Sequence, residues 1–285
     1  MAEEHRAKPT SRVTVGQAVV KQALLILLTL VALYPLFWMV ATAFKTQGEY
    51  LANPYSLPWP LALENLVLAL RGGRFARWFL NSVVITTGST IGVVLIACLA
   101  AFVFAKMRFR GSSTFLNLVI SLMVIPPVVM IVPMFILYAQ LGLTSTYPGI
   151  IIIYTGLTIP FSVYLMTNFF KTVPTDIVSS ALIDGCRPSL ILWRIFLPLS
   201  APALVTLIIV NALWMWNELL LALVFLPKDE MRTLMVGITA FKSKLNLDVP
   251  VTMAGLLLTT LPMLILYIAF QRFFIRGLTE GATKG

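Results

Sequence analysis

Charge is scarce in this chain. Asp, Glu, Lys and Arg make up 11% of its 285 residues, against about 25% in a soluble domain, so the chain cannot clothe a globular surface in the usual way. Histidine occurs once, as His5 in a charged N-terminal stretch, and cysteine twice, as Cys98 in an apolar run and Cys186 in a polar connector. Too few cysteines stand together for a disulfide-stapled module, and no zinc-ligand spacing or histidine-based catalytic set can be assembled. No Gly-x4-Gly-Lys-Ser/Thr loop is present, which excludes ATP hydrolysis by P-loop chemistry in this chain. No catalytic residue or metal ligand is assigned, and the chain is read as not an enzyme.

Apolar residues are abundant, at 59% of the chain, and mean hydropathy is +0.93. A membrane-crossing helix takes about 20 apolar residues, and six runs meet that length: residues 22–44, 82–105, 115–138, 148–170, 201–226 and 251–270. The expected architecture is an all-α membrane protein. It has a tail at 1–21, a six-helix transmembrane domain at 22–276 and a tail at 277–285. The first run follows Arg6, Lys8, Arg12 and Lys21, as a signal peptide would, but its apolar core exceeds a signal h-region of about 7–15 residues and further spans follow. An uncleaved first crossing is therefore expected. Pro35, the pair Pro126-Pro127, Pro160 and Pro262 predict kinks within the spans.

The net charge of +10 is distributed through short connectors rather than over one face, which argues against nucleic acid as a partner. With the N-terminus inside, the inner segments hold most of the Lys and Arg, including Lys106, Arg108 and Arg110 and then Lys171, Arg187 and Arg194. The excess of inner basic residues places both termini in the cytoplasm of a multi-pass protein. The outer loop at 45–81 is rich in proline and is expected to pack on the outer surface. The stretch 227–250 mixes charged and apolar residues and suits a short folded excursion.

The longest inner connector, residues 171–200, predicts two short helices. Pro174, Thr175 and Asp176 start the first, Gly185 ends it in a left-handed conformation, Pro188 starts the second and Pro198 stops it. The sequence Ser179-Ser180-Ala181, three residues, Gly185, nine residues, Ile195-Phe196-Leu197-Pro198 resembles the Glu-Ala-Ala-x3-Gly-x9-Ile-x-Leu-Pro loop of ABC importer permeases. Ser179 stands where that motif has Glu, and Ser180 where it has its first Ala. Pro35 to Met39, Asn81-Ser82, Arg108 to Gly111, Trp216 to Glu218 and the ending Gly277 to Gly285 extend the resemblance to the carbohydrate-uptake branch, and within it to the smaller membrane subunit of maltose-type transporters.

The resemblance implies a type I importer permease in the inner membrane, forming half of a translocation pore. Its partners would be a second permease, two ABC ATPase subunits carrying ATP and Mg, an extracytoplasmic solute-binding protein and a sugar. It implies ATPase coupling through Ser179, Ser180, Ala181, Asp184, Gly185, Ile195, Leu197 and Pro198, with close approach at the small residues Ala181 and Gly185. It further implies a C-terminal ATPase contact at Gly281 and Lys284.

Within the membrane, Glu218 carries an insertion cost of about 2.5 to 3.5 kcal/mol at mid-bilayer if it behaves as Asp does, and is expected to face protein or an aqueous cavity. In a continuous fifth helix, Asn211, Trp214 and Glu218 share one face beside Asn217. That face serves as a sugar route, or alternatively as an interhelical lock or polar gate. Met130, with Met123 and Met134 around Pro126-Pro127, is either a deformable gate or packing filler. Two rival functions are a permease for glycerol phosphate or another polyol derivative, and an ion-coupled secondary transporter working alone. The latter calls for an internal repeat or several intramembrane ionisable groups.

Overall fold

The computed structural model describes residues 15–71, 74–107, 109–239 and 248–282. The helices are α1 Val15–Ala43, α2 Gln47–Ala52, α3 Glu64–Leu70, α4 Arg74–Lys106, α5 Ser112–Ser121, α6 Pro127–Gln140, α7 Tyr147–Thr172, α8 Thr175–Ile183, α9 Pro188–Ile191, α10 Leu197–Leu199, α11 Ala201–Asn217, α12 Leu220–Phe225, α13 Leu234–Thr239 and α14 Val249–Ala282. Four of them, α1, α4, α7 and α14, are singly long and apolar enough to cross a membrane. Two bent pairs raise the number to as many as six.

The two bent pairs depart from straight spans, for local reasons. In the third run, Ser112–Val124 and Pro127–Gln140 meet at 95°. A proline pushes the residue before it out of the helical region, and here Ile125 and Pro126 are both extended. At 83°, Pro188–Leu199 turns into Ala201–Asn217. By contrast, Pro35, Pro160 and Pro262 lie inside α1, α7 and α14, which run on through them.

The fifth run, expected as one helix over 201–226, is broken at Glu218 and Leu219. The Glu218 carboxylate accepts from the backbone N–H groups of Leu221 and Ala222. Those donors would otherwise close helical turns onto the carbonyls of Asn217 and Glu218, so the side chain competes the helix away.

The centre of the bundle is the α4–α7 pair. Gly88 lies against Ile151 and Gly92 against Thr155, so close that an added Cβ would stand 2.9 and 3.0 Å from those side chains. Small residues one turn apart let two backbones approach, which is the main packing force where lipid removes the hydrophobic incentive. Helix α11 packs beside this pair, α14 packs on α11, and α1 lies against α14 with its apolar length exposed.

The ends of α4 set the two sides of the molecule. At its start, Trp78 Nε1 donates to the Asp229 carbonyl, Asn81 Nδ2 to those of Glu230 and Arg232, and Ser82 Oγ accepts from Leu234 N. These bonds seat the expected folded excursion, a 3-10 turn at Asp229–Met231 followed by α13. The end of α4 carries the 171–200 connector. The helices also overrun the expected tails: α1 begins at Val15, within the tail at 1–21, and α14 reaches Ala282, within that at 277–285. Cys98 is buried and Cys186 half-buried, both as free thiols.

Candidate functional site

The 171–200 connector is a folded knuckle fastened to the bundle. Helix α8 seats Val178 and Ala181 in a core with Phe102, Phe170 and Phe196. Phe196 is fully buried, edge-on to Phe102 at 5.0 Å and to Phe170 at 5.4 Å. Lys106, the last residue of α4, donates from Nζ to the Val173 carbonyl and lies over the Phe196 ring at 5.7 Å. The cation thus caps the end of α7 and ties three elements at one point.

Gly185 closes α8 as expected, with φ +80°. Its N–H donates to the Leu182 carbonyl and that of Cys186 to Ala181, the paired bonds of a Schellman ending. Pro188 opens α9. Pro198 does not stop the following helix. A π turn spans Leu192–Phe196, with Leu197 N–H reaching the Leu192 carbonyl, and the chain bends two residues after the proline, at Ser200. The widened turn makes room for a ring that would otherwise clash with the carbonyl four residues back.

The motif residues are therefore divided by role. Ser179, Ser180, Asp184 and Gly185 are exposed on the knuckle, whereas Ile195 and Leu197 are half-buried anchors and Pro198 is exposed at the bend. Ala181 is 7% exposed and turned inward, which corrects its expected outward contact: its small size lets α8 sit close on the bundle. Sequence reasoning missed Leu182 and Ile183, which are 50% and 86% exposed beside Gly185. Two consecutive apolar residues in a polar connector were the available signal. Of the expected C-terminal contact, Gly281 lies within α14, and Lys284 falls outside the described residues.

A second site surrounds the break in the fifth run. Glu218 Oε2 accepts from the Tyr154 hydroxyl at 2.8 Å and from Ala222 N at 2.9 Å, while Oε1 accepts from Leu221 N at 2.8 Å. From the residue before the N-cap position Leu219, the carboxylate thus caps two N–H groups in the first turn of α12, where helix dipoles favour negative charge. Trp214 is edge-on to Tyr154 at 5.7 Å. Asn211 is buried and gives its amide to Ser162 Oγ and the Leu207 carbonyl, as an interhelical lock would, and it also lines the cleft between α7 and α11. Asn217 is exposed and bonded to the Leu213 carbonyl. Of the expected common face, Asn211 and Trp214 lie on α11 and line one cleft, whereas Glu218 falls just past the end of that helix and lines the neighbouring cleft with Trp214.

A cleft of about 500 Å³ opens between the bent third run, α7 and α11, lined by Met123, Met130, Met134, Phe161, Thr158 and Trp214 among others. The three methionines, left by the sequence as gate or filler, line this space together. A neighbouring cleft of about 640 Å³ shares Pro127 and Trp214 with it and includes Asn217 and Glu218. The break thus lines the second of two adjoining spaces.

Comparison with known proteins places this geometry. Residues 92–280 match the family described as binding-protein-dependent transport system inner membrane component. The chain is 34% identical over 282 residues to the probable ABC transporter permease protein YurM of Bacillus subtilis, covering 99% of this chain and 93% of that protein. It is 31% identical over 277 residues to the trehalose/maltose transport system permease protein MalG of Thermococcus litoralis, covering 94% and 99%. The diacetylchitobiose uptake system permease protein NgcG of Streptomyces coelicolor is 30% identical over 269 residues, covering 94% and 89%. In fold, the chain is similar to one in the crystal structure of a bacterial ABC transporter involved in the import of the acidic polysaccharide alginate, with a TM-score of 0.81 at 24% identity, covering 94% of this chain and 100% of that one. Its family match, its relatives across nearly the whole length and its exposed knuckle agree: the chain belongs to the binding-protein-dependent transport system inner membrane components.

Proposed function

We propose that this chain is a permease subunit of an ATP-driven sugar importer, lining half of the pore and receiving motion from cytoplasmic ATPases through the 171–200 knuckle. The carrying observation is the knuckle: an exposed Leu182, Ile183 and Gly185 tip on a helix that Lys106 and the Phe196 cluster join rigidly to α4 and α7. A push on α8 then moves the α4–α7 pair rather than bending a loop, as rigid-body switching requires. In this reading the knuckle and both termini are cytoplasmic. A companion permease covers part of the exposed apolar surface, two ATPases supply ATP and Mg, and a solute-binding protein delivers cargo to the opposite face.

The cleft favours neutral sugar over glycerol phosphate. No Lys or Arg is found among its described lining residues, while Trp214 and Phe161 offer ring faces and Thr158 a hydroxyl. Aromatic faces cover the apolar side of a sugar ring, whereas a phosphate calls for cationic donors. The name of a relative, the melibiose/raffinose/stachyose import permease protein MelC of Bacillus subtilis, supports a sugar as cargo. The test is uptake by the assembled transporter with unlabelled competitors: neutral mono- or oligosaccharides should compete, and competition by glycerol phosphate alone overturns the sugar assignment.

A further inference from the structure

Residues 50–63 carry no charge, lying between Glu49 and Glu64, and they expose the apolar side chains Leu51, Tyr55, Leu57, Trp59 and Leu61. Trp59 is 85% exposed and Leu57 70%. Neither the transport reading nor the family match uses this segment. It lies at the start of α4, on the side opposite the knuckle.

The segment does not project away from the membrane-length helix α1; it folds back along it. Tyr55 packs on Trp38 with ring centroids 5.3 Å apart. Trp38 lies five residues before the end of α1, about 7.5 Å back along the axis at 1.5 Å per residue. Lys45 is fully buried under the fold, with Nζ donating to the Pro54 carbonyl at 2.6 Å and held over the Trp38 ring at 4.9 Å. Asn65 Nδ2 donates to the carbonyls of Ala43 and Lys45, and Ala62 N to that of Phe44, so both ends of the segment are fastened to the terminus of α1.

We infer that residues 51–61 are an interfacial anchor embedded in the lipid headgroup layer on the face opposite the knuckle. Trp and Tyr favour that depth because their rings are apolar and their N–H or O–H remains wet. Pro54, Pro58 and Pro60 bring no N–H, which lowers the number of donors that an irregular segment must satisfy there. A soluble protein that comes and goes is a poorer occupant, because between encounters these exposed apolar side chains would stand in water. In the headgroup layer it is covered throughout, and the anchor holds the outer end of α1 at a set depth.

The test uses the full chain in phosphatidylcholine vesicles. The emission of Trp59 is taken as the difference between the wild type and Trp59→Phe, each checked for monodispersity. Acyl chains brominated near the headgroup should remove most of this signal, chains brominated near their ends should remove less, and iodide in the water should have little effect. Quenching by iodide but not by bromine means a water-exposed loop, and protection from both means a protein cover; either result overturns the anchor. As a second measurement, a nitroxide on Leu57→Cys in a Cys98→Ala, Cys186→Ser background should meet oxygen more readily than a water-soluble nickel chelate. The reverse order also overturns it.

Discussion

At the scale of single residues, Glu218 shows how an ionisable group is retained in an apolar run. Its two oxygens take three hydrogen bonds, two from the backbone of α12 and one from Tyr154. Replacing it with Ala leaves those donors uncapped, and loss of an N-terminal cap costs about 0.5 to 2 kcal/mol. We predict that Glu218→Ala lowers the thermal midpoint of the purified permease and that Glu218→Gln, which keeps an acceptor oxygen, lowers it less; equal midpoints would show that the cap is idle. Gly237 is the opposite case, a residue chosen for absence of bulk. A Cβ there would stand 2.1 Å from the Trp78 ring, and Trp78 is itself bonded to the Asp229 carbonyl. Overpacking of this kind costs about 1 to 3 kcal/mol, so Gly237→Ala is expected to loosen the 228–239 excursion, read as faster proteolysis within it. The sequence singles out Glu218 but neither pairing, because Tyr154 and Glu218, like Trp78 and Gly237, are far apart along the chain and periodicity reports only neighbours on one helix.

At the scale of elements, the knuckle divides into a face that holds and a face that meets a partner, and the two should respond differently to substitution. Ile183 is 86% exposed and touches little of the chain's own core. Ile183→Asp is therefore expected to abolish co-purification of the ATPases while leaving the thermal midpoint of the permease unchanged; undiminished association refutes the docking role. Phe196→Ala removes a fully buried ring, for which the cost is about 3 to 5 kcal/mol. It should lower the midpoint and also uncouple ATP hydrolysis from uptake, since α8 then rests on a cavity; uptake matched to hydrolysis as in the wild type contradicts rigid transmission. Much of this element could be read in advance. Gly185 announced a left-handed ending and Pro188 a helix start, because those backbone restrictions are intrinsic to the residues. The π turn before Pro198 and the inward aim of Ala181 could not, since each depends on how α8 and α9 seat against Phe102 and Phe170.

At the scale of the whole molecule, a chain whose first crossing helix is almost wholly exposed is built to be covered by lipid and by other subunits. Reconstituted alone in liposomes, it is expected to pass no sugar, with or without ATP; nucleotide-independent flux from the solitary chain would point to a self-sufficient carrier instead. The sequence alone determined that the protein is helical and membrane-embedded, roughly where it crosses, and which connector carries the family motif. Hydrophobic run length, proline and glycine restrictions and motif spacing are local properties that a linear reading captures. Only the tertiary structure decided that the fifth run breaks at Glu218, that the third bends by 95°, that the methionines share a cleft with Trp214, and that residues 50–63 fold back along α1. The proline pair and the Glu218 side chain supply the breaks locally, but which side chains then meet across a cleft or along α1 depends on how the helices pack, which a linear reading does not contain.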